Sequence, residues 1–414
     1  PEPTVEAHFP SQTAEPQAIA TQFLPGDLDA VADELLRNAP LGGCIAVVCG
    51  TVSRAQHLYR QFTQAAAQLP DGPNVCADTV LLHSRFIASA RQRTEQELVN
   101  RLGKDHSRRP QRLIVISTQV IEQGLDLDFD LMISDIAPLD LLIQRMGRVH
   151  RHPLPAAIRP SYARSPRFLI TGAADGDVTK APPRFPTGLR MVYRPRALLA
   201  ATFVLSNHLR QPGCHGVARP HDVPRLVEQA YNANLQAPSP WAKEWEQACD
   251  LERQFLQLQS GRAKTYLLPP PTLEGINHWN DTQGIAVEGV AHSQVRDADE
   301  SYEVILARET AEGTLTSMDP SAALDGVDLR GPLSEKQARA LSACSLRLPG
   351  WLVQPEDMEA MSEETPPSWS SSPWLRHAVP LIVDANSTKR CVSGVLKYDP
   401  HIGLTAEPHR KEPP

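Results

Sequence analysis

The 414-residue chain has no apolar run approaching the ~20 residues of a bilayer-crossing helix, so neither a membrane span nor a membrane partner is expected. It has no C-x-x-C pair. Its seven cysteines, Cys44, Cys49, Cys76, Cys214, Cys249, Cys344 and Cys391, are scattered and odd in number, which argues against a disulfide framework and a zinc site. They read as small buried hydrophobes in a reducing, cytoplasmic protein. A basic-then-apolar leader is also missing, and the first residue is Pro1. The expectation is a portion of a longer chain with no visible secretory signal. No residues group as metal ligands. The dipeptide His221–Asp222 stands alone between Pro220 and Pro224, and Asp222 reads as a helix N-cap.

At 41% hydrophobic residues, the chain is long enough and apolar enough for two or three domains. A net charge of −7 argues against wholesale coating of nucleic acid, but the charge is uneven. Residues 84–112 hold eight Lys/Arg against three Asp/Glu, residues 143–167 hold six Arg and no acid, and residues 351–365 hold five acids and no base. Screening beyond ~10 Å lets a local basic region bind phosphate on an acidic protein; the same runs also suit a solvated surface.

Residues 1–25 are rich in Pro and Gln and read as a connector. "GDLDAVADELLRNAP" predicts a helix capped by Asp27 and stopped near Pro40. "GGCIAVVCGT", "VCADTVLLHSRF", "QRLIVIST", "DLMISDI" and "RFLIT" predict strands. Between them "SRAQHLYRQFTQAAAQL", "ASARQRTEQELVNRLG" and "DLLIQRMGRVHR" have helical spacing. Strands that are continuous Val/Ile/Leu runs, alternating with helices, predict an α/β fold with a parallel sheet covered on both faces. In such folds the ligand lies at the carboxyl ends of the strands. "WAKEWEQACDLERQFLQLQ" predicts a further amphipathic helix, "EETPPSWSSSPW" an exposed loop, and "AVPLIV" and "CVSGVLKY" the strands of a small terminal domain.

The least ordinary stretch is "STQVIEQGLDLDFDLMISDIAPLDLLIQRMGRVHRH", Ser117–His152. As a continuous helix, "LLIQRMGRVHR" places Gln144, Arg148 and Arg151 on one face. Two guanidiniums on one face repel unless an anion lies between them, and a triphosphate suits their bidentate geometry. An isolated R-x-x-R is equally a surface helix salt-bridged to acids. Context favours the phosphate. Thr118 and Gln119 follow an apolar strand, where a hydroxyl and backbone N–H groups are placed to hold a phosphate. Gly124 permits close approach, and Asp126 is placed to accept hydrogen bonds from a ribose. Asp126 and Asp128 read alternatively as helix or turn caps.

"QRMGRVHR" resembles the Q-x-x-G-R-x-x-R signature that closes the second RecA-like lobe of superfamily 2 helicases, and "STQVIEQGLDLDFD" resembles the signature before it. "AVVCGTVSRAQHLYRQF" and "LLHSRF" match two earlier elements in order and spacing. The wording of these stretches resembles the helicase–nuclease of type I CRISPR systems, as do "VPRLVEQAY" and "LKYDPHIGL" further on. The resemblance implies a RecA-like lobe over 26–236, linker helices over 237–330 and a C-terminal domain over 331–414. It implies that Arg148 and Arg151 reach the γ-phosphate of ATP, supported by Gln144, with Gly124 and Asp126 on the nucleotide side. Thr51, His83, Ser84, Arg85, Thr118 and Gln119 would track single-stranded DNA in the 3′-to-5′ sense. Cys49–Gly50 departs from the pattern, since relatives often carry Asn before the Thr. The chain contains no G-x-x-x-x-G-K-[ST] loop, no D-E-x-H or D-E-x-D box and no cluster of nuclease histidines. The implied partners are therefore the enzyme's own HD nuclease and first RecA-like lobe, which would hold ATP and Mg²⁺ and, in the HD domain, a divalent transition metal. The Cascade surveillance complex is the implied recruiter. Two alternatives stay open: the second lobe of another superfamily 2 helicase, or a non-catalytic DNA- or protein-binding module.

Overall fold

The computed structural model describes residues 17–24, 27–122, 124–155, 157–173, 181–264, 301–321, 323–392 and 394–408. The apolar runs form a parallel sheet. β2 (Gly43–Val48), β3 (Thr79–Leu82), β4 (Arg112–Ser117), β5 (Leu131–Asp135) and β6 (Arg167–Thr171) lie in the order β3-β4-β2-β5-β6. β1 (Gln17–Phe23) joins parallel to β6, and β7 (Gly216–Arg219) ends the sheet antiparallel to β1. Every residue of β2 and β5 is buried, as strands covered on both faces require. The covering helices are α1 (Leu28–Asn38), α2 (Val52–Ala66), α3 (Gly72–Ala77), α4 (Ala88–Leu102), α5 (Leu139–Met146), α6 (Thr187–Val192), α7 (Pro195–Leu209) and α8 (Val223–Tyr231). Asp27 caps α1 as expected, accepting from the N–H groups of Asp29 at 3.0 Å and Ala30 at 3.2 Å.

Several elements differ from expectation for identifiable reasons. β1 lies in the stretch read as a connector. Its polar residues hide a period-2 strand in which Ile19 and Thr21 are buried and Ala18 and Gln22 are exposed. The strand expected at "VCADTVLLHSRF" is reduced to Thr79–Leu82, because Gly72–Ala77 form α3. Asp222 stands at the N-cap of α8, yet its carboxylate turns back to accept the Ala218 N–H at 2.8 Å and to pair with Arg225 at 3.1 Å.

The chain divides into two compact units, one of residues to Leu82 with Gln96–Ala242, the other of His83–Glu95 with residues from Lys243 onward. The second unit includes α9 (Ala242–Lys264) and is built on β8 (Ser301–Glu309), which lies in the stretch read as linker. β8 is flanked by β10 (Ser345–Pro349) and β11 (Val379–Val383) and also pairs with β9 (Leu315–Ser317). β12 (Thr388–Cys391), β13 (Gly394–Asp399) and β14 (Gly403–Pro408) form an antiparallel meander. α10 (Glu335–Ser342) and α11 (Pro355–Glu363) complete the unit. Trp369, in the segment read as an exposed loop, is 0% exposed, and its indole N–H donates to the Leu329 carbonyl at 2.9 Å. An aromatic flanked by prolines and serines found a pocket that composition does not reveal. Among the described residues no helix is long and apolar enough to cross a membrane.

His83 belongs to the second unit's interior. It is 0% exposed and stacks on Phe86 with centroids 4.5 Å apart. Its Nδ1 accepts the Arg85 N–H at 3.1 Å, so Nε2 carries the proton donated to the Ile402 carbonyl at 2.9 Å. Burial pushes its pKa down to about 4, the neighbouring Arg85 adding to the shift. A histidine neutral when folded and protonated near 6.5 when unfolded contributes stability above about pH 6.5 and loses it as pH falls toward 4. Urea unfolding of this chain between pH 7 and 4 is therefore expected to fall more steeply than that of His83→Gln. The excess slope should be at most one proton, or about 1.4 kcal/mol per pH unit. Parallel slopes would show that His83 does not carry the effect.

Candidate nucleotide and strand-end site

In the first unit, the carboxyl ends of β2, β4 and β5 are tied together by side chains. Asp135, at the end of β5, accepts the Gly50 N–H at 2.7 Å, and Arg54 of α2 forks onto the same carboxylate with two bonds of 2.8 Å. Gln119, just after β4, donates from Nε2 to the Gly50 carbonyl at 3.0 Å and to the Tyr193 hydroxyl at 3.0 Å. Thr51 caps α2 by accepting the Arg54 N–H at 3.2 Å. Thr118 begins the single turn Gln119–Ile121 and is 2% exposed. Gly50 explains the departure before Thr51: a Cβ there would stand 1.9 Å from Leu189 Cδ2 of α6. The helix after β6 occupies the space a larger residue would need.

The arginine segment is not one helix. α5 stops at Met146 with Gly147 as its cap, so Gln144, Arg148 and Arg151 do not share a helical face. The backbone beyond it bonds instead to the approach of β5: Phe129 N–H donates to Arg148 O at 2.9 Å, and His150 N–H to Phe129 O at 3.0 Å. His150 takes a left-handed φ of 48° to make the turn. Gln144 is exposed, Arg148 half-buried and Arg151 exposed.

Arg145, by contrast, is 1% exposed. Its Nε donates to Glu122 at 2.7 Å, Nη1 to Ser134 Oγ at 2.7 Å and to the Asp135 carbonyl at 3.0 Å, and Nη2 to the Tyr193 hydroxyl at 2.9 Å. Burial disfavours its charge, but Tyr193 and Glu122 more than offset this and raise its pKa. Glu122 also presents its carbonyl to Arg148 Nη2 at 2.6 Å. Among the described residues no carboxylate lies within ion-pair distance of Arg148. Its pKa is lowered, first by burial and then by the positive charge of Arg151. Two guanidiniums thus stand near each other, and Arg148 is balanced by no carboxylate among the described residues.

The three aspartates of "GLDLDFD" divide between two environments. Asp126 is exposed and pairs with Arg151, with His152 at 3.4 Å; the Arg151 guanidinium overcomes its partial desolvation and lowers its pKa. Gly124, two residues earlier, is exposed with φ 76°. Asp128 and Asp130 are buried among Arg109 and Arg159, with contacts of 2.6 to 3.2 Å. Burial raises the Asp128 pKa in spite of both arginines. Asp128 also accepts the Arg151 N–H at 2.7 Å, so this buried cluster anchors the backbone that carries Arg151.

Of the residues expected to track a strand, Thr51, Thr118 and Gln119 lie at adjoining strand ends of the first unit. His83 and Arg85 belong to the second unit and are buried there; only Ser84 between them is exposed. The Arg85 guanidinium lies over the Trp351 ring, 5.1 Å from its centroid. The basic run 84–112 is largely neutralised within the protein. Arg91 pairs with Glu95, Arg93 with Asp319, Arg101 with Glu97, Arg109 with Asp128 and Asp130, and Arg112 with Asp71 and Asp78. Its excess charge is therefore weak support for a phosphate-binding surface.

Sequence reasoning missed Arg54, Glu122, Asp135, Arg145 and Tyr193 as members of this site. One signal was available for Arg145: at helical spacing it follows Leu142 by three residues, on the apolar face of α5. The close approach at Gly50 gives a direct test. Gly50→Ala is expected to destabilise the chain by about 1–3 kcal/mol through overpacking, and Leu189→Ala in the same background should recover part of the loss. Additive losses in thermal or urea unfolding would contradict this packing.

Residues 41–154 match the family described as CRISPR-associated nuclease/helicase Cas3, C-terminal, and residues 296–404 match the Cas3 C-terminal domain. The CRISPR-associated nuclease/helicase Cas3 of Streptococcus thermophilus is 29% identical over 391 residues, covering 88% of this chain and 38% of that protein. A crystal structure of T. fusca Cas3-ATP superposes with a TM-score of 0.73 at 28% identity, covering 96% of this chain and 44% of that one. A chain solved in a CRISPR RNA-guided surveillance complex, pre-nicking, superposes with a TM-score of 0.69 at 27% identity, covering 96% of this chain and 45% of that one. This chain thus spans less than half the length of these relatives. Likeness across the sheet, the arginine segment and the terminal strands together makes it a member of the Cas3 nuclease/helicase family, corresponding to that family's C-terminal portion.

Proposed function

We propose that this chain is the arginine-bearing part of a two-lobed ATPase that moves along single-stranded DNA and serves a nuclease in type I CRISPR interference. The observation that carries the reading is the pair Arg148–Arg151, one lacking a carboxylate and the other held by an exposed Asp126. An exposed ion pair contributes little, so Arg151 is readily redirected to a phosphate. In this reading the unit that carries β1 to β7 is the second RecA-like lobe, and the unit built on β8, within the stretch 296–404, is the C-terminal domain. ATP with Mg²⁺, held mainly by the first lobe, supplies the phosphoryl group that is transferred. Arg148 and Arg151 neutralise the charge that develops on it. Gln144, on the last turn of α5, supports them, and Gly124 and Asp126 line the nucleotide side. Thr51 and Gln119 face the strand, with the buried Thr118 at the start of the turn that carries Gln119. A nuclease domain with a divalent transition metal lies outside this chain. The relative solved within a surveillance complex supports Cascade as a partner.

The chain alone is expected to show no DNA-stimulated phosphate release. In the enzyme reconstituted with its first lobe and nuclease, Arg148→Ala and Arg151→Ala should each lower ATP hydrolysis by roughly 10³–10⁵-fold, the usual worth of such arginines. ATP-independent cleavage of single-stranded DNA should persist. Arg→Lys should rescue little, since the charge stays but the fork is lost. Near-normal hydrolysis in both alanine variants would make these arginines structural and sink the proposal.

A further inference from the structure

Tyr193 lies outside every motif stretch, on the residue that follows α6. It is 9% exposed. Its hydroxyl oxygen accepts from Gln119 Nε2 at 3.0 Å and from Arg145 Nη2 at 2.9 Å, the full capacity of its two lone pairs. Those donors come from different elements, the turn after β4 and α5. Gln119 belongs to the strand-end turn after β4 and also holds the Gly50 carbonyl next to Thr51. Arg145 grips Glu122, whose carbonyl holds Arg148. The result is an unbroken path, Gln119–Tyr193–Arg145–Glu122–Arg148, with every link between 2.5 and 3.0 Å.

We propose that Tyr193 is the positioning residue that couples the strand-facing Gln119 to the phosphate-facing Arg148, so that nucleotide and single-stranded DNA sense each other through its hydroxyl. The inference rests on the helicase-lobe reading above. A shift of Gln119 on a DNA strand pulls on the acceptor that Arg145 also uses. Arg145 has no slack: its remaining donors are engaged on Ser134 and on the Asp135 carbonyl at the end of β5. Its response is transmitted to the Glu122 turn and from there to Arg148. The ring of Tyr193 packs in the core whether or not the hydroxyl is present, so its removal leaves the packing in place and takes away only the acceptor shared by Gln119 and Arg145, at the stability cost of a buried donor left unpaired.

Coupling between two ligands is reciprocal, and binding alone reads it. Fluorescence anisotropy of single-stranded DNA would be measured on the two-lobed protein, with and without a non-hydrolysable ATP analogue. The unaltered protein is expected to show a change in Kd of at least about fivefold on adding nucleotide, the low end for coupled sites. In Tyr193→Phe that ratio should collapse toward one, while the nucleotide-free Kd stays within about twofold. Gln119→Met cuts the same path from its other end and should also collapse the ratio, with the double variant no worse than either single one. A ratio preserved in Tyr193→Phe, or losses that add in the double variant, would overturn the coupling role. A Kd insensitive to nucleotide in the unaltered protein would instead overturn the helicase-lobe reading itself.

Discussion

A full positive charge is enclosed in the first unit at Arg145, and much of the site is arranged to tolerate it. Enclosing a guanidinium costs several kcal/mol of lost hydration, which one counter-ion seldom offsets by itself. Here Glu122 supplies the opposite charge, and Ser134, the Asp135 carbonyl and Tyr193 take the remaining donors. These partners come from three segments: the turn after β4, the end of β5, and the residue after α6. The fork of Arg145 thus ties two connecting segments to the end of β5, a role that a lysine, with one nitrogen on a flexible stem, would not fill. Removing either partner of such a buried pair would leave an uncompensated charge, at a cost of about 3–5 kcal/mol.

A second enclosed set, Asp128 and Asp130 with Arg109 and Arg159, does the same for the segment beyond α5. Asp130 accepts the Cys44 N–H at 2.7 Å at the start of β2, and Asp128 accepts the Arg151 N–H at the same distance. Arg151 therefore has a fixed backbone and a side chain whose partner, Asp126, is exposed. Arg148 has the converse arrangement, a half-buried side chain held, among the described residues, by the Glu122 carbonyl. Rigid support under displaceable contacts is what an anion site needs, because the groups meet their ligand without first giving up a strong internal partner.

In the second unit, the segment from His83 to Ile87 is held by the β13–β14 turn. His83 bonds to the Ile402 carbonyl, and the Arg85 carbonyl accepts the Leu404 N–H at 2.8 Å. A stretch adjoining β3 in sequence is thereby part of the C-terminal core, and a histidine expected at a DNA surface serves as a neutral hydrogen-bonding core residue. Burial is the main reason, with the Arg85 charge adding to it, since both disfavour the protonated ring that a phosphate would attract.

Local periodicity and capping were enough to read the parallel sheet, the Asp27 cap, α1, α2 and α4, and the order of the motif stretches, because those features depend on residues close in sequence. The identity of the enclosed arginine was not legible that way. Gln144, Arg145, Arg148 and Arg151 are near-equivalent as letters, and Arg145 differs only in meeting Glu122, Ser134 and Tyr193 from elsewhere in the chain. The end of α5 was equally hidden: helical spacing continues through "MGRVHR", but the Phe129 backbone competes for the hydrogen bonds of Arg148 and His150 and wins. β1 and β8 were hidden for the same reason, because strands with mixed polar composition are recognised by the neighbour they pair with. Tertiary contacts thus decided which charges are enclosed, where the helix stops and which residues stay available to a ligand, since each of those outcomes depends on partners tens of residues away.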